Sequence, residues 1–108
     1  MFYTENNNII MTKGDSGVIN VHLKNKDGSE YILNDGDRVI FSLKKRKEAH
    51  LPILIQKEGI KIVFLKEDTE KIPSGNYVYD VVIEKTAGER YTAVCGDLEI
   101  RKAVHEFE

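Results

Sequence analysis

Residues 68–83 constrain the fold of this chain more than any other stretch. The stretch begins with residues suited to a helical turn, is interrupted by Pro73 and Gly75, and then alternates between apolar and polar side chains. Successive side chains of a strand point to opposite faces, so this alternation predicts an antiparallel strand with one face in a core. The predicted core-facing residues are Tyr77, Tyr79, Val81 and Ile83.

The same alternation, divided by turns rich in glycine and aspartate, predicts the other strands. The predicted strands lie at residues 9–11, 17–23, 38–43, 53–56, 60–65, 76–84, 91–94 and 96–100. Residues 31–33 are expected to be a brief extended segment, residues 66–71 a single helical turn, and Gly96 a bulge. Within the segment 60–65, the residues expected to face inward are Ile60, Ile62 and Phe64.

Seven or eight short strands without a long helical pattern predict an all-β fold, an immunoglobulin-like antiparallel β-sandwich. A small barrel is the alternative architecture. Tyr77 and Tyr79 follow a helical turn and Gly75, an order similar to the tyrosine corner of immunoglobulin-like domains. The Tyr77 hydroxyl is then expected to bond back to upstream backbone, with Tyr79 where antibodies place a cysteine. This detail favours the sandwich over the barrel.

Length and charge narrow the possible functions. The chain has 108 residues, which predicts one domain over residues 1–108. A formal net charge of −2 argues against general affinity for nucleic acid or for anionic membrane. A single cysteine, Cys95, forms no internal disulfide, which fits a reducing cytoplasm. Residues 1–8 lack signal-peptide features, and no apolar run approaches the roughly 20 residues of a membrane span.

Residue types that often carry chemistry are present but not clustered in the sequence. His22, His50 and His105 lie far apart, and no cysteine or histidine pair has zinc-ligand spacing. Cys95 is expected to be a small, partly buried structural cysteine. Four further carboxylates, whose separation in space the sequence leaves open, are Glu84, Glu89, Asp97 and Glu99. The sequence therefore predicts no catalytic residue, no cofactor and no metal ligand.

Two sets of charged residues, the aspartates of the turns and a basic run, each have a functional and a structural interpretation. Aspartates in the predicted turns would bind calcium if they gathered at one end of the sandwich, but their spacing is not that of an EF-hand, so a turn-forming role is expected. These aspartates are Asp15, Asp27, Asp35 and Asp37. The basic run at residues 44–47 lacks interleaved aromatic residues, and on a strand end its side chains point in opposite directions. We expect a solvated loop or the rim of a protein contact there.

Four segments together resemble a known family. They are Thr-Lys-Gly-Asp-Ser-Gly at 12–17, Leu-Asn-Asp-Gly-Asp-Arg-Val-Ile-Phe-Ser-Leu-Lys-Lys at 33–45, Asp-Thr at 68–69 continuing to Pro-Ser-Gly-Asn-Tyr-Val-Tyr-Asp-Val at 73–81, and Gly-Asp-Leu-Glu-Ile at 96–100. This pattern resembles the immunoglobulin-like N-terminal domain of phage baseplate upper proteins. The resemblance extends over nearly the whole chain.

The resemblance implies a non-enzymatic, protein-binding structural module of a tailed phage or prophage of Gram-positive bacteria. Its partners would be other tail or baseplate proteins, it would work as a homo-oligomer, and it would pass from the bacterial cytoplasm into the virion. Residues 9–11 are the expected open sheet edge for such contacts. An alternative function is a carbohydrate or host-surface binding module that uses Tyr31 or Tyr91 for stacking. A small hydrolase would require Cys95 beside His22 or His50.

Overall fold

A computed structural model describes residues 2–5, 8–25 and 27–104, with the backbone alone for 2–5. Half of the described residues lie in strands and one short helix is present among them, so the prediction of a mainly β protein is confirmed. In chain order the elements are β1 (Phe2–Glu5), β2 (Asn8–Thr12), β3 (Gly17–Asn20), β4 (Arg38–Lys44), β5 (Ile55–Glu58), β6 (Lys61–Phe64), α1 (Lys66–Glu70), β7 (Gly75–Glu84) and β8 (Arg90–Arg101).

The described strands form two sheets. One has six strands in the order β1-β2-β8-β7-β4-β5, and the other consists of β3 and β6. Most neighbours run antiparallel, but β2 and β8 run parallel, with Ile9 opposite Leu98. The expectation of a wholly antiparallel fold is therefore wrong at this pair. Alternation along one strand reports its buried face and carries no information about the direction of its neighbour.

The core lies between the two sheets. The Phe41 ring of β4 meets the Phe64 ring of β6 edge to face, with centroids 5.4 Å apart, and stacks on Tyr79 of β7 at 5.5 Å. All four residues predicted to face inward on β7 are buried, which confirms that face. On β6 the prediction holds for Ile62 and Phe64 and is wrong for Ile60, which precedes the strand and is 51% exposed.

Several predicted boundaries shift. β3 ends at Asn20, whereas the predicted strand continued to residue 23. The residues after Asn20 form a loop that contacts residues 30–31. Lys24 and Glu30 form an isolated bridge, and the Tyr31 N–H donates to the Leu23 carbonyl. β5 starts two residues later than predicted, since the predicted segment began at 53 and the strand begins at Ile55. The predicted strands 91–94 and 96–100 are one strand, β8.

The bulge and the open edge lie elsewhere than expected. Val81 faces Val94 and Val82 faces Thr92, so Ala93 is the additional residue, whereas Gly96 stays in register opposite Tyr79. The predicted bulge at Gly96 is wrong because pairing with β7 fixes the register there. Residues 9–11 are also not an edge, because β1, which was not predicted, pairs with β2 on the side away from β8.

A short helix precedes β7, and a tyrosine lies near the start of that strand. In α1, the Asp68 carboxylate accepts the Leu65 N–H at 2.7 Å, and the buried Thr69 hydroxyl accepts the Gly14 N–H at 2.9 Å. After the helix, the Tyr77 hydroxyl donates to the Pro73 carbonyl at 2.5 Å. The predicted bond from Tyr77 to upstream backbone is therefore present, and it ties the start of β7 to the turn before it.

Replacing Tyr77 with phenylalanine should keep the fold and lower the free energy of unfolding by roughly 1 kcal/mol, the usual worth of one hydrogen bond. The ring is 4% exposed and would still fill its site, so the loss reports the hydroxyl bond alone. Urea denaturation followed by far-UV circular dichroism measures this change. A midpoint equal to that of the wild type would show that the bond to Pro73 contributes no stability.

Candidate functional site

The surface with the features of a binding site is the side of β8, β7, β4 and β5 that faces away from the core, here termed the outer face. A shallow groove of about 630 Å³ runs over it. Residues of the outer face that line this groove are Ile40, Ser42, Lys44, Gln56, Val78, Asp80, Val82, Glu84, Arg90 and Cys95. Lys47 and Ile53 border the groove from the loop between β4 and β5.

One end of the outer face carries a row of alternating charges. Arg38, Glu84 and Arg90 lie side by side on β4, β7 and β8. Glu84 contacts Arg90 at 2.6 Å and Arg38 at 3.3 Å, and Arg38 contacts Glu58 of β5 at 2.6 Å. The Glu58 carboxylate raises the pKa of the Arg38 guanidinium. From β8 to β5 the row therefore runs positive, negative, positive, negative.

The middle of the outer face is partly apolar. Ile40 and Val82 face each other across β4 and β7, and both are half-buried by their neighbours. A solvated sheet face usually presents mainly polar side chains. Apolar residues in a groove with a charged rim are instead the composition of a protein contact surface.

A polar row crosses the centre of the outer face. Asp80 of β7 lies between Ser42 of β4 and Cys95 of β8, and Gln56 of β5 donates from its amide nitrogen to the Ser42 hydroxyl at 3.3 Å. Burial raises the pKa of the Asp80 carboxyl, and the nearby Lys44 ammonium partly offsets this effect. Across the described ranges, no residue donates a hydrogen bond to the Asp80 carboxylate. A half-buried carboxylate that accepts no hydrogen bond from the protein is open to a donor from water or from another molecule.

The predicted basic run does not form one patch, as its strand position indicated. Lys44 and Lys47 line the groove, whereas the Lys45 ammonium lies 3.4 Å from the Asn76 carbonyl and 4.7 Å from the centre of the Tyr77 ring. Arg46 instead contacts Glu48 at 3.6 Å. Two of the four charges therefore belong to the rim of the outer face.

The tyrosines proposed as stacking platforms lie near Lys85. The Lys85 ammonium donates to the Tyr31 hydroxyl at 2.9 Å and lies 5.3 Å from the centre of the Tyr31 ring. The half-buried Tyr31 ring is therefore already in contact with a side chain of the same chain. Tyr91 is 49% exposed and donates to the Glu89 carboxylate, which raises the Tyr91 pKa. Tyr91 thus presents the more accessible ring of the two.

Lys85 also belongs to a compact ion pair. Its ammonium contacts the Asp37 carboxylate at 2.6 Å, and the Asp37 side chain is 1% exposed. The same carboxylate accepts the backbone N–H of Asn34 at 2.9 Å and of Thr86 at 3.1 Å. These contacts, led by Lys85, hold the pKa of Asp37 well below its usual range. The aspartate predicted as a turn former therefore also joins two loops.

The remaining predicted residues are dispersed. Cys95 is exposed on the outer face, so the expectation of a partly buried cysteine is wrong: its position on β8 points away from the core. His22 and His50 are exposed in loops, and His105 lies outside the described residues. Asp27 accepts bonds from Ser29 in its turn, which lower its pKa, and Glu99 pairs with Arg101. Within residues 8–25 and 27–104, no three His, Cys, Asp or Glu side chains are grouped to hold a metal ion.

Sequence reasoning missed the outer face, although a signal for it was present. The positions that alternate with the core residues include Ile40, Val78 and Val82, which is an apolar set for residues expected to face solvent. Two adjacent strands with apolar residues on both faces indicate that the second face is also covered. The environment of the Asp80 carboxylate had no comparable signal, because it depends on neighbours from two other strands.

No protein-family model, no curated protein and no solved structure matches this chain. Among the described residues, no helix combines the length and apolar character that crossing a membrane requires. Function is therefore inferred from the outer face, from the strand order and from the resemblance carried by the sequence.

Proposed function

We propose that this chain is a non-enzymatic, protein-binding structural module of a tailed phage or prophage, acting in the tail or baseplate. The observation that carries the proposal is the outer face, where apolar residues, a charged rim and the donor-free Asp80 carboxylate adjoin. A surface of this composition suits a protein partner that buries the apolar centre and supplies a donor to the carboxylate.

The strand order supports the finer fold assignment, an immunoglobulin-like sandwich. Such sandwiches place strands C, F and G in one sheet and B and E in the other. In this chain β4, β7 and β8 would correspond to C, F and G, and β3 and β6 to B and E. Tyr77 lies near the start of the strand that corresponds to F, and its bond to Pro73 is the contact expected of a tyrosine corner.

The fold and the resemblance to baseplate upper proteins support the same cellular role. The partners would be other tail or baseplate proteins, and the chain would act as a homo-oligomer. It would be present in the bacterial cytoplasm during assembly and afterwards in the virion. An exposed sheet face and open strand edges provide the physical means of attachment, because both surfaces can be completed by another chain.

Mass spectrometry of gradient-purified virions from an induced lysogen that encodes this chain tests the proposal. We expect its peptides to follow those of the major capsid protein through the gradient. An abundant cytosolic protein of the host serves as the control for contamination. Absence of the chain from particles that contain the other tail proteins would overturn the virion role.

A further inference from the structure

The charges at one end of the outer face have a symmetry of their own. From β8 to β5 the order is Arg90, Glu84, Arg38 and Glu58, which alternates in sign. Suppose that a second copy lies face to face with the first and is related to it by a two-fold axis. If this axis runs parallel to the strands, between β7 and β4, the order of the charges in the second copy is the reverse of the order in the first. Glu84 then faces Arg38 of the second copy. Arg90 approaches Glu58 of the second copy, which is paired with Ile40 and reaches the charged row through its side-chain contact with Arg38. Each charge meets its opposite.

The same rotation matches the next two rows. Val82 and Ile40 are opposite neighbours on β7 and β4, so each faces the other residue in the second copy, apolar against apolar. Asp80 and Ser42 are also opposite neighbours, so the Asp80 carboxylate faces the Ser42 hydroxyl of the second copy. Gln56 donates to the Ser42 oxygen, which leaves the hydroxyl hydrogen available to donate to that carboxylate.

We infer that the outer face binds the outer face of a second copy of this chain, related by a two-fold axis that runs along the strands between β4 and β7. The inference rests on the proposed function, since it names one partner of the protein-binding face. A two-fold interface uses the same patch on both copies, and face-to-face sheets keep their strands within about 30° of each other.

The competing two-fold axis, perpendicular to the strands, fits poorly. It would keep each strand opposite itself. With the axis midway between Arg38 and Lys44, these two cations would approach each other across the interface. With the axis at the row of Ser42 and Asp80, Asp80 would face Asp80. Like charges brought together at an interface oppose association. Charge therefore selects the axis along the strands.

The size of the outer face indicates a weak dimer. Three strands of seven residues and the four residues of β5, with about 4.8 Å between strands and about 3.4 Å between residues, cover roughly 400 Å² per copy, or roughly 800 Å² in total. This area lies at the low end of specific interfaces, below about 1,200 Å². We therefore expect a dimer that forms at high protein concentration and weakens as salt screens the charged row.

A pair of charge-reversed variants tests the geometry. Arg38→Glu gives a copy with two negative groups at these positions, and Glu84→Arg gives a copy with two positive groups. Alone, each variant places like charges across the axis, so we expect self-association at least tenfold weaker than that of the wild type. Mixed in equal amounts, the two variants place opposite charges at both contacts, so a one-to-one heterodimer should form.

Sedimentation velocity over a concentration series measures all four samples, with Glu70→Arg on α1 as a control that dimerises like the wild type. Thermal unfolding checks that each variant is folded. The more exposed pair Arg90→Glu and Glu58→Arg replaces the first pair if either variant is unfolded. A mixture that associates no more than its separate components would overturn the inference.

Cys95 offers a second measurement on the unaltered protein. The thiol is exposed in the single chain and lines the groove, so dimerisation should slow its reaction with a maleimide as protein concentration rises. In the double variant Cys95→Ser, Ser16→Cys, the new thiol lies in an exposed turn and should react at one rate throughout. A Cys95 rate independent of concentration overturns the pairing.

The virion role and the pairing of two outer faces can be contradicted by different results. A chain that is present in virions but does not pair through the outer face would retain the virion role and overturn the self-pairing. A chain that dimerises as described but is absent from virions would support the self-pairing and overturn the virion role.

Discussion

Replacing Phe41 with alanine should lower the free energy of unfolding by about 3–5 kcal/mol, the range for truncating a buried aromatic residue. Phe41 is 1% exposed and contacts Phe64 of the opposite sheet and Tyr79 of its own. Its loss removes apolar contact on both sides of the core and leaves a cavity between the sheets. Since small domains are stable by roughly 5–15 kcal/mol, the urea midpoint should fall steeply.

Ile32→Ala is the matched control for this experiment. Ile32 is 78% exposed, so removing its side chain should change stability by no more than about 0.5 kcal/mol. Urea denaturation followed by far-UV circular dichroism compares the two variants with the wild type. A loss from Phe41→Ala similar to that of the control would contradict a core built around this residue.

Strands with one strongly buried face were predictable from the sequence. In β7 the buried residues Tyr77, Tyr79, Val81 and Ile83 are those that alternation assigns to the core. Alternation predicts the buried residues of β7 correctly because this strand lies between two others, and the burial of one sheet face determines which side chains point inward. At Ile60, which precedes β6, the same alternation continues in the sequence but the side chain is exposed. Beyond Asn20 the strand ends, yet Val21 and Leu23 still pack against the core.

Pairings between distant segments were not predictable. The parallel contact of β2 with β8 joins residues as far apart as Ile9 and Leu98, and neither segment shows the direction of the other. The bulge illustrates the same limit. Gly96 had the residue type of a bulge, but the register with β7 places the additional residue at Ala93. Residue type suggests where a strand can bend, and the partner strand decides where it does.

The polar sites show the same division between local and distant effects. Asp37 was predicted as a turn former, and its N–H bond to the Asn34 carbonyl, 3.1 Å long, fits that role. Its carboxylate, however, is bound by Lys85, 48 positions away. Local turn chemistry gave no reason to expect a buried ion pair, because the partner is brought there by the end of β7.

Replacing Asp37 with asparagine should destabilise the protein at neutral pH and make its stability less sensitive to acid. Asp37 is held by Lys85, Asn34 and Thr86, so its pKa in the folded protein lies well below the value of about 3.9 in an unfolded chain. The unfolded chain therefore binds more protons over this interval. The stabilisation by Asp37 is complete above about pH 4 and is lost as the pH falls towards the folded pKa.

Thermal midpoints measured from pH 7 down to about pH 2 test this prediction. The relevant interval lies below the pKa that the Asp37 carboxyl has in the unfolded chain. The wild type should lose stability more steeply than Asp37→Asn below about pH 4, so the two curves approach each other in acid. Asp35→Asn is the matched control, because Asp35 is exposed in the same turn and its carboxylate accepts no hydrogen bond from any described residue. Its backbone carbonyl accepts a bond from the Thr86 hydroxyl, which the substitution keeps. Its curve should run parallel to that of the wild type. Parallel curves for Asp37→Asn would mean that the ion pair with Lys85 does not hold the carboxylate charged in the folded protein.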